Sequence, residues 1–425
     1  MAHSCSGSAG VGQKESIMIY VGVDVAKADH CLGAIDAFGK VMLKPATFTQ
    51  DAEGFLALAG HLHRLGQPSE VIVGMEATGH YWVLLAEELK RLGYIPQVFN
   101  PILSCDAGRT SVRGRKTDED DCLMIAKVVR DGGFHAMQLP DAQMAELKKL
   151  CRYRQLAVER SSNLKKRLIG YLDLVFPEFQ KLFSDCYCPT ARALLAKASS
   201  ARLMAAIQPK SLTKLLVKTS RGRLSTERGQ AIIVAAKSSI ASARIDTATE
   251  LAIGMTIQEI DLLEDQIATF DARIKPMAPA GKDLLMTIPG IGPILSAVIL
   301  AEIGSIERFI PTKGDAGKSD GIHRLLAFAG LDPRIRESGQ WTGKARMSKR
   351  GSRTLRTAIW RAAFLACRDD AFRDLYERHK NTMKQPQKVA LSHVCRKLVQ
   401  AIYGVLRYQA AFNIDVFRGK VKNAA

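Results

Sequence analysis

The sequence predicts an amino-terminal α/β domain with a mixed sheet, then a helical or coiled-coil segment, then a mainly helical carboxyl-terminal domain. Three observations carry this. Short β-rich runs near the start, two of them closing on an acidic residue, alternate with helical periodicities. From residue 141 onward apolar residues recur largely at helical spacing. Beyond Asp283, glycine-rich corners separate short helices.

Taken in order, Ile17 to Val25 (IMIYVGVDV) reads as a strand that reaches Asp24. Cys31 to Ile35, a turn at Asp36 to Gly39, and Val41 to Leu43 make a hairpin. Phe55 to Leu65 has helical spacing, and Glu70 to Met75 is a strand delivering Glu76. Trp82 to Leu92 is an amphipathic helix stopped by Gly93, and Tyr94 to Phe99 is a further strand. Strand, hairpin, helix, strand, helix, strand is an α/β order. Asp118 opens another helix. Asp141 to Leu174 forms a charged helix with Leu147, Leu150, Leu156, Leu164 and Leu168 on its apolar stripe, interrupted by Pro177. Residues 178–244 offer short helices around Ala191 to Ala198 and Ala231 to Ile240, with a basic stretch from Lys210 to Arg228 that matches no motif. Ile245 to Ile274 reads as a packing or coiled-coil helix carrying Leu251, Met255, Leu262, Ile267, Phe270 and Ile274. Helices at Ile294 to Glu302, Ile322 to Ala329, Leu355 to Arg368 and Lys388 to Arg407 complete the chain. The expected division is a flexible tail at 1–16, the α/β domain at 17–140, a helical connector at 141–280, the helical domain at 281–410, and a flexible tail at 411–425.

Composition narrows the function. Lys and Arg number 61 against 42 Asp and Glu, a formal charge of +19 that favours an anionic partner, nucleic acid above all. The nine cysteines are dispersed, and Cys186-x-Cys188 lacks the second half of a zinc site, so reduced, mostly buried thiols are expected. No run of 18 apolar residues proposes a membrane span, and the polar opening is no signal peptide. A cytoplasmic protein without a membrane partner is the expectation.

Asp24 and Glu76 close two predicted strands, where ligand sites of open α/β sheets collect. Asp118 and Asp121 stand three apart at the start of a helix and share a face. Four such carboxylates suit one or two Mg²⁺ ions, Mn²⁺ being the alternative, as phosphodiester chemistry requires. Helix capping explains the same residues without a metal, Asp24 before Ala-Lys and Asp118 with Asp121 at N3. Between Arg109 and Lys116 lie four cations, Arg109, Arg113, Arg115 and Lys116, and no acid, a loop fit to draw in a phosphate backbone.

Pro289-Gly290-Ile291-Gly292 sits between two apolar helical stretches and has the look of a helix-hairpin-helix turn. Its glycines either present amides to a phosphate or form a packing corner. Residues 334–356 hold eight cations (Arg334, Arg336, Lys344, Arg346, Lys349, Arg350, Arg353 and Arg356) and one acid, Glu337. This reads as a phosphate-binding surface, or else a solvated basic face. Ser338 lies in a glycine-permitted turn of that segment, where an activated hydroxyl could attack a phosphodiester. Ser348, Ser352 and Thr342 compete for that role.

Four ordered segments, YVGVDVAKADH (Tyr20 to His30), VGMEATGHYW (Val73 to Trp82), Asn100-Pro101 and GRKTDEDD (Gly114 to Asp121), resemble the signatures of the IS110/IS1111 transposases. Downstream, AGL-x-P, ESG and a K-x-G…LR block resemble the same family's carboxyl-terminal domain. The resemblance covers roughly Ile17 to Glu159 and Asp283 to Tyr403, and residues 175–244 exceed what compact members need. It implies a RuvC-like, RNase H-like amino-terminal fold with Asp24, Glu76, Asp118 and Asp121 as Mg²⁺ ligands and catalytic groups, and Ser338 as a nucleophile forming a 5′-phosphoserine. It further implies donor and target DNA as substrates and an element-encoded guide RNA. A homo-oligomer, dimer or tetramer, is expected, and because more than two hundred residues separate the carboxylates from Ser338 the composite site could form within one chain or between subunits. The alternatives are a metal-dependent junction resolvase or nuclease that activates water, and a non-catalytic nucleic-acid-binding protein.

Overall fold

Five strands form the sheet of the first unit: β1 (Ile19–Asp24), β2 (Asp29–Asp36), β3 (Val41–Thr49), β4 (Val71–Glu76) and β5 (Pro96–Phe99). Their order is β3-β2-β1-β4-β5, with β1, β2 and β3 antiparallel to their neighbours and β1, β4 and β5 running parallel. The β2–β3 turn is set by Asp36, whose carboxylate accepts from the amides of Phe38 and Lys40, both at 2.9 Å. The structure, a computed structural model, describes residues 18–77, 79–99, 118–132, 141–241, 247–277, 279–311, 320–334, 337–338, 341–342 and 346–417. The chain divides into two compact units, Met1–Leu139 and Pro140–Ala425.

Alternation along the strands gives the sheet two faces. Val21, Val23, Val73 and Met75 are buried with α1 (Ala52–Leu65) and α2 (Trp82–Arg91). Asp51 caps α1 by accepting from the Gly54 amide at 2.8 Å. Tyr20 and Ile72, one residue out of phase, pack instead with Ile125 and Val129 of α3 (Asp118–Asp131). Helices on both faces of a five-stranded mixed sheet in this order make the unit RuvC/RNase H-like.

The second unit is largely helical. Its axis is an antiparallel pair, α4 (Ala142–Val175) and α10 (Thr247–Ile274). Arg154 Nη2 donates to Asp271 at 3.1 Å, and further along α4, but earlier in α10, Lys165 Nζ donates to Glu264 at 2.6 Å, which fixes the antiparallel sense. Between these helices the chain folds α5 (Phe179–Leu182), α6 (Pro189–Lys197), α7 (Ala201–Ala205), α8 (Pro209–Ser220) and α9 (Thr226–Lys237) around a core of their own, to which α4 adds Leu168 and Leu172 and α10 adds Ile253 and Ile257. The opposite end of the pair, with Leu147, Cys151 and Ile274, joins a second core. That core is made with α11 (Lys282–Met286), α12 (Pro293–Ile303), α13 (Gly321–Ala329), α14 (Arg353–Ala366), α15 (Asp370–Glu377) and α16 (Gln387–Tyr408).

Several sequence expectations shift. Leu156 of the α4 stripe is exposed, as are Leu251, Met255 and Leu262 of α10. Both helices are apolar on more than one side, and α10 buries Ile253, Ile257, Ile260 and Leu263 where its partners lie. The 411–417 part of the expected tail is folded, α17 (Ile414–Phe417) placing Phe417 5.2 Å from Phe372. The serine segment, read as a turn, contains paired strands. Among the described residues no helix is long and apolar enough to cross a membrane.

Candidate active site

Parallel pairing in register, Val23 opposite Met75, brings the ends of β1 and β4 side by side, so Asp24 and Glu76 close neighbouring strands. Each lies two residues beyond a glycine, Gly22 or Gly74, and therefore on the face that those glycines present to α3. A Cβ on Gly22 would overlap the Cys122 carbonyl and the Ala126 amide, and one on Gly74 would overlap the Val129 side chain. The two glycines let α3 lie against the sheet, with its start toward the strand ends. Cys122 confirms that placement: its sulfur is 3.4 Å from that of Cys31, the residue paired with Asp24 across β1 and β2. Burial, then Cys31, then the charge of Asp24 raise the Cys122 thiol pKa. Asp121 immediately precedes it.

Asp24, Glu76 and Asp121 are half-buried. Capping does not account for the first two. Asp24 leads through a turn into β2, and α2 begins at Trp82 with Tyr81 at its N-cap. Asp118 is the first residue of α3, which moves the N-cap to position 117, outside the described residues, as is the Asp118 side chain. The donor set is carboxylate throughout, the hard-oxygen chemistry that Mg²⁺ prefers. Among the described residues no three His, Cys, Asp or Glu side chains are grouped as a metal site. Arg109, Arg113, Arg115 and Lys116 lie outside the described residues, as do Thr78, Asn100 and Pro101 of the sequence signatures.

The serine segment is built on antiparallel pairings. β6 (Pro333–Arg334) pairs with β9 (Arg346–Met347), and β7 (Glu337–Ser338) with β8 (Trp341–Thr342), Ser338 opposite Trp341. The backbone of Ser338 is described and its side chain is not, and Arg336 and Lys344 fall outside the described residues. Two rival hydroxyls have structural partners. Ser348 donates to the Asp332 carboxylate. Ser352 caps α14 by accepting from the Leu355 amide at 3.1 Å and donates to Glu302 at 2.8 Å. Arg334, Arg346, Lys349 and Arg350 are exposed. Arg353, also exposed, pairs with Glu159 at 3.0 Å. Arg356 is half-buried and donates to the carbonyls of Ala329 at 3.0 Å and Lys349 at 3.3 Å, bracing the loops beneath the strands.

Gly290 is a packing corner: its φ is +86°, and a Cβ there would strike the α14 backbone at Ala362 and Ala366. Gly292 is exposed at the N-cap of α12, with open space around a notional Cβ.

Glu302 escaped the sequence reading. It is 1% exposed, and Arg152 of α4 donates to it from Nε at 2.7 Å and Nη2 at 3.0 Å. Burial opposes its ionisation, but Arg152 hydrogen bonding and the charges of Lys148 and Arg152 hold the carboxyl below its usual range. With Ser352 it ties α4, α12 and the start of α14 together at the foot of the serine segment. Its signal was a single charge near the end of an otherwise apolar helix.

An RNase H-like unit with carboxylates at adjacent strand ends, and a helical unit with a basic serine-bearing segment, define a class of DNA-processing enzyme. Two family models match the chain: a DEDD transposase model of IS110 elements on residues 21–177, which take in the sheet unit and α4, and the transposase IS116/IS110/IS902 family model on residues 282–377 of the helical unit. The chain belongs to the IS110/IS116/IS902 family of insertion-sequence transposases. It is similar over nearly its whole length to the uncharacterized 44.8 kDa protein of insertion element IS116 from Streptomyces clavuligerus, with 24% identity covering 93% of this chain and 96% of that one. The mini-circle putative transposase for IS117 from Streptomyces coelicolor shares 24% identity over 94% and 96% of the two chains. The uncharacterized 42 kDa protein of insertion element IS900 from Mycobacterium paratuberculosis shares 25% over 93% and 97%.

Proposed function

We propose that this transposase cleaves and exchanges the DNA strands of an insertion sequence through Ser338, with Asp24, Glu76, Asp118 and Asp121 as Mg²⁺ ligands. The observation that carries the reading is the convergence of Asp24 and Glu76 on one face, at neighbouring strand ends, against the helix that bears Asp118 and Asp121. Support for the serine comes from the family resemblance and from the bonded state of Ser348 and Ser352. Ser338 Oγ attacks the scissile phosphorus, a serine–phosphorus bond forms, and the bond to the 3′-oxygen breaks. The proton lost by the serine is balanced by the one the 3′-oxygen takes up. A 3′-hydroxyl of another strand then attacks the phosphoserine, a new phosphodiester forms as the bond from Ser338 Oγ to phosphorus breaks, and the proton lost by that hydroxyl is balanced by the one the serine oxygen takes up. Mg²⁺, when bound, would place positive charge against the attacking and leaving oxygens. Arg334, Arg346, Lys349 and Arg350 hold the phosphate backbone by charge. An element-encoded guide RNA and a homo-oligomer belong to the same reading, by resemblance.

The test is covalent. On a DNA substrate nicked beside the scissile phosphate, the parent protein should leave an adduct stable to denaturant, mapped by peptide sequencing to Ser338. Ser338→Ala should bind DNA with parental affinity and form no adduct. An adduct in the Ala variant moves the nucleophile elsewhere. Normal cleavage by that variant, with no adduct in the parent, replaces the mechanism with a water-activating nuclease.

A further inference from the structure

We infer that the helical subdomain between α4 and α10 carries a second nucleic-acid surface, a lysine ridge on α8 that grips the phosphate backbone of duplex DNA independently of sequence. The ridge lies between the two segments matched by family models, at 21–177 and 282–377, and goes beyond the proposed strand exchange.

Charge is concentrated there. Residues 186–245 contain eleven Lys and Arg and one acid, Glu227. Arg192 and Arg202 are taken up by Asp261 and Glu250 of the long helix. Lys210, Lys214 and Lys218 are exposed, and none of the three has an ion pair among the described residues. They recur every fourth residue on α8, opposite Leu212 and Leu216, which are fully buried. Four residues of helix advance about 6 Å, so the three ammonium groups form a row on a helix anchored by its apolar face. A concavity runs along the row, lined by all three lysines together with Thr213, Val217 and Thr226. The row continues beyond the helix. Arg221 caps α8 in the left-handed conformation, φ 54° and ψ 45°, where glycine or asparagine is the ordinary occupant, and Arg223 follows. No aromatic residue occurs from 188 to 245, so the surface has no platform on which unpaired bases could stack. A rigid row of cations without aromatic side chains fits a duplex backbone rather than a single strand.

The full-length chain with Lys210→Gln, Lys214→Gln and Lys218→Gln tests this on mixed-sequence duplex DNA, the same strand unpaired, and an RNA duplex of that sequence. Each phosphate contact contributes about 0.9 to the salt slope on duplex DNA, so the triple variant should lose roughly 2.7. It should bind duplex DNA about 500-fold more weakly at 0.1 M salt, the two proteins converging toward 1 M. Lys214→Gln alone, losing about 0.9, decides the matter if the triple variant melts early. Unchanged slope and affinity on duplex DNA, or a loss as large on the single strand or confined to RNA, overturns the ridge. Lys349→Gln with Arg350→Gln, and the Ser338 adduct, report separately on the strand-exchange reading, so its failure would not be mistaken for failure of the ridge.

Discussion

Glu302 shows how one buried carboxylate ties together the helices beneath the serine segment. Taking a charge out of water costs several kcal/mol unless partners repay it, and here Arg152, Ser352 and the nearby charge of Lys148 do so. Arg152→Met would leave that acid buried with only Ser352 and Lys148. Only the carboxylate of the pair is buried, the Arg152 side chain being 53% exposed, so the loss in urea unfolding should be about 2 kcal/mol, below the range for breaking a fully buried pair. An effect below about 1 kcal/mol would mean the arginine is merely a surface charge. The acid range gives a second reading. The folded carboxyl lies below its reference value of 4.5, so its stabilisation is complete above that pH and is lost as pH falls through the folded value. Stability of Glu302→Gln should lack this acid-range component, and parallel pH profiles for the two proteins would remove Glu302 from the account. The sequence holds a single charge near the end of an apolar helix, a signal that went unread. It could not announce the partner, because Arg152 lies 150 positions away.

At the scale of elements, the acidic site depends on two strands meeting a helix without side chains between them. Gly22 and Gly74 sit where α3 crosses β1 and β4, and in each strand the acid follows at the next position on that face. Gly22→Val should cost about 1–3 kcal/mol by overpacking and shift Asp121 away from Asp24. If these acids bind Mg²⁺, the ion should raise the melting temperature of the parent and leave this variant unmoved. Gly60→Ala, on the exposed side of α1 with nothing near its notional Cβ, should retain the Mg²⁺ response. A parental response in Gly22→Val would mean the helix approach does not matter to the ion. Strand alternation made the placement of Asp24 and Glu76 at the ends of neighbouring strands legible in the sequence. The glycines were not read as a helix crossing, since a strand glycine equally marks a bulge or a packing corner. Nor could periodicity choose the buried side of α10, where Leu251 and Ile253 offer competing apolar stripes and only packing decides.

Over the whole molecule, the residues of the proposed chemistry are divided between the two compact units, the carboxylates in Met1–Leu139 and Ser338 in Pro140–Ala425. Asp121 and Ser338 are separated by more than two hundred residues of chain. Such a division is compatible with a site completed by a second copy, and co-expression of two inactive chains distinguishes the possibilities. Asp24→Ala lacks a carboxylate and keeps its serine, while Ser338→Ala lacks the serine and keeps its carboxylates. If the site draws one part from each subunit, a mixed symmetric dimer has one doubly defective site and one intact site. With equal co-expression half the dimers are mixed, so strand exchange should recover to about a quarter of the parental level. Different affinity tags on the two chains establish that mixed assemblies were recovered. If those assemblies are inactive while each parent-tagged control is active, carboxylates and serine must come from the same chain, because every chain in the mixture lacks one of them.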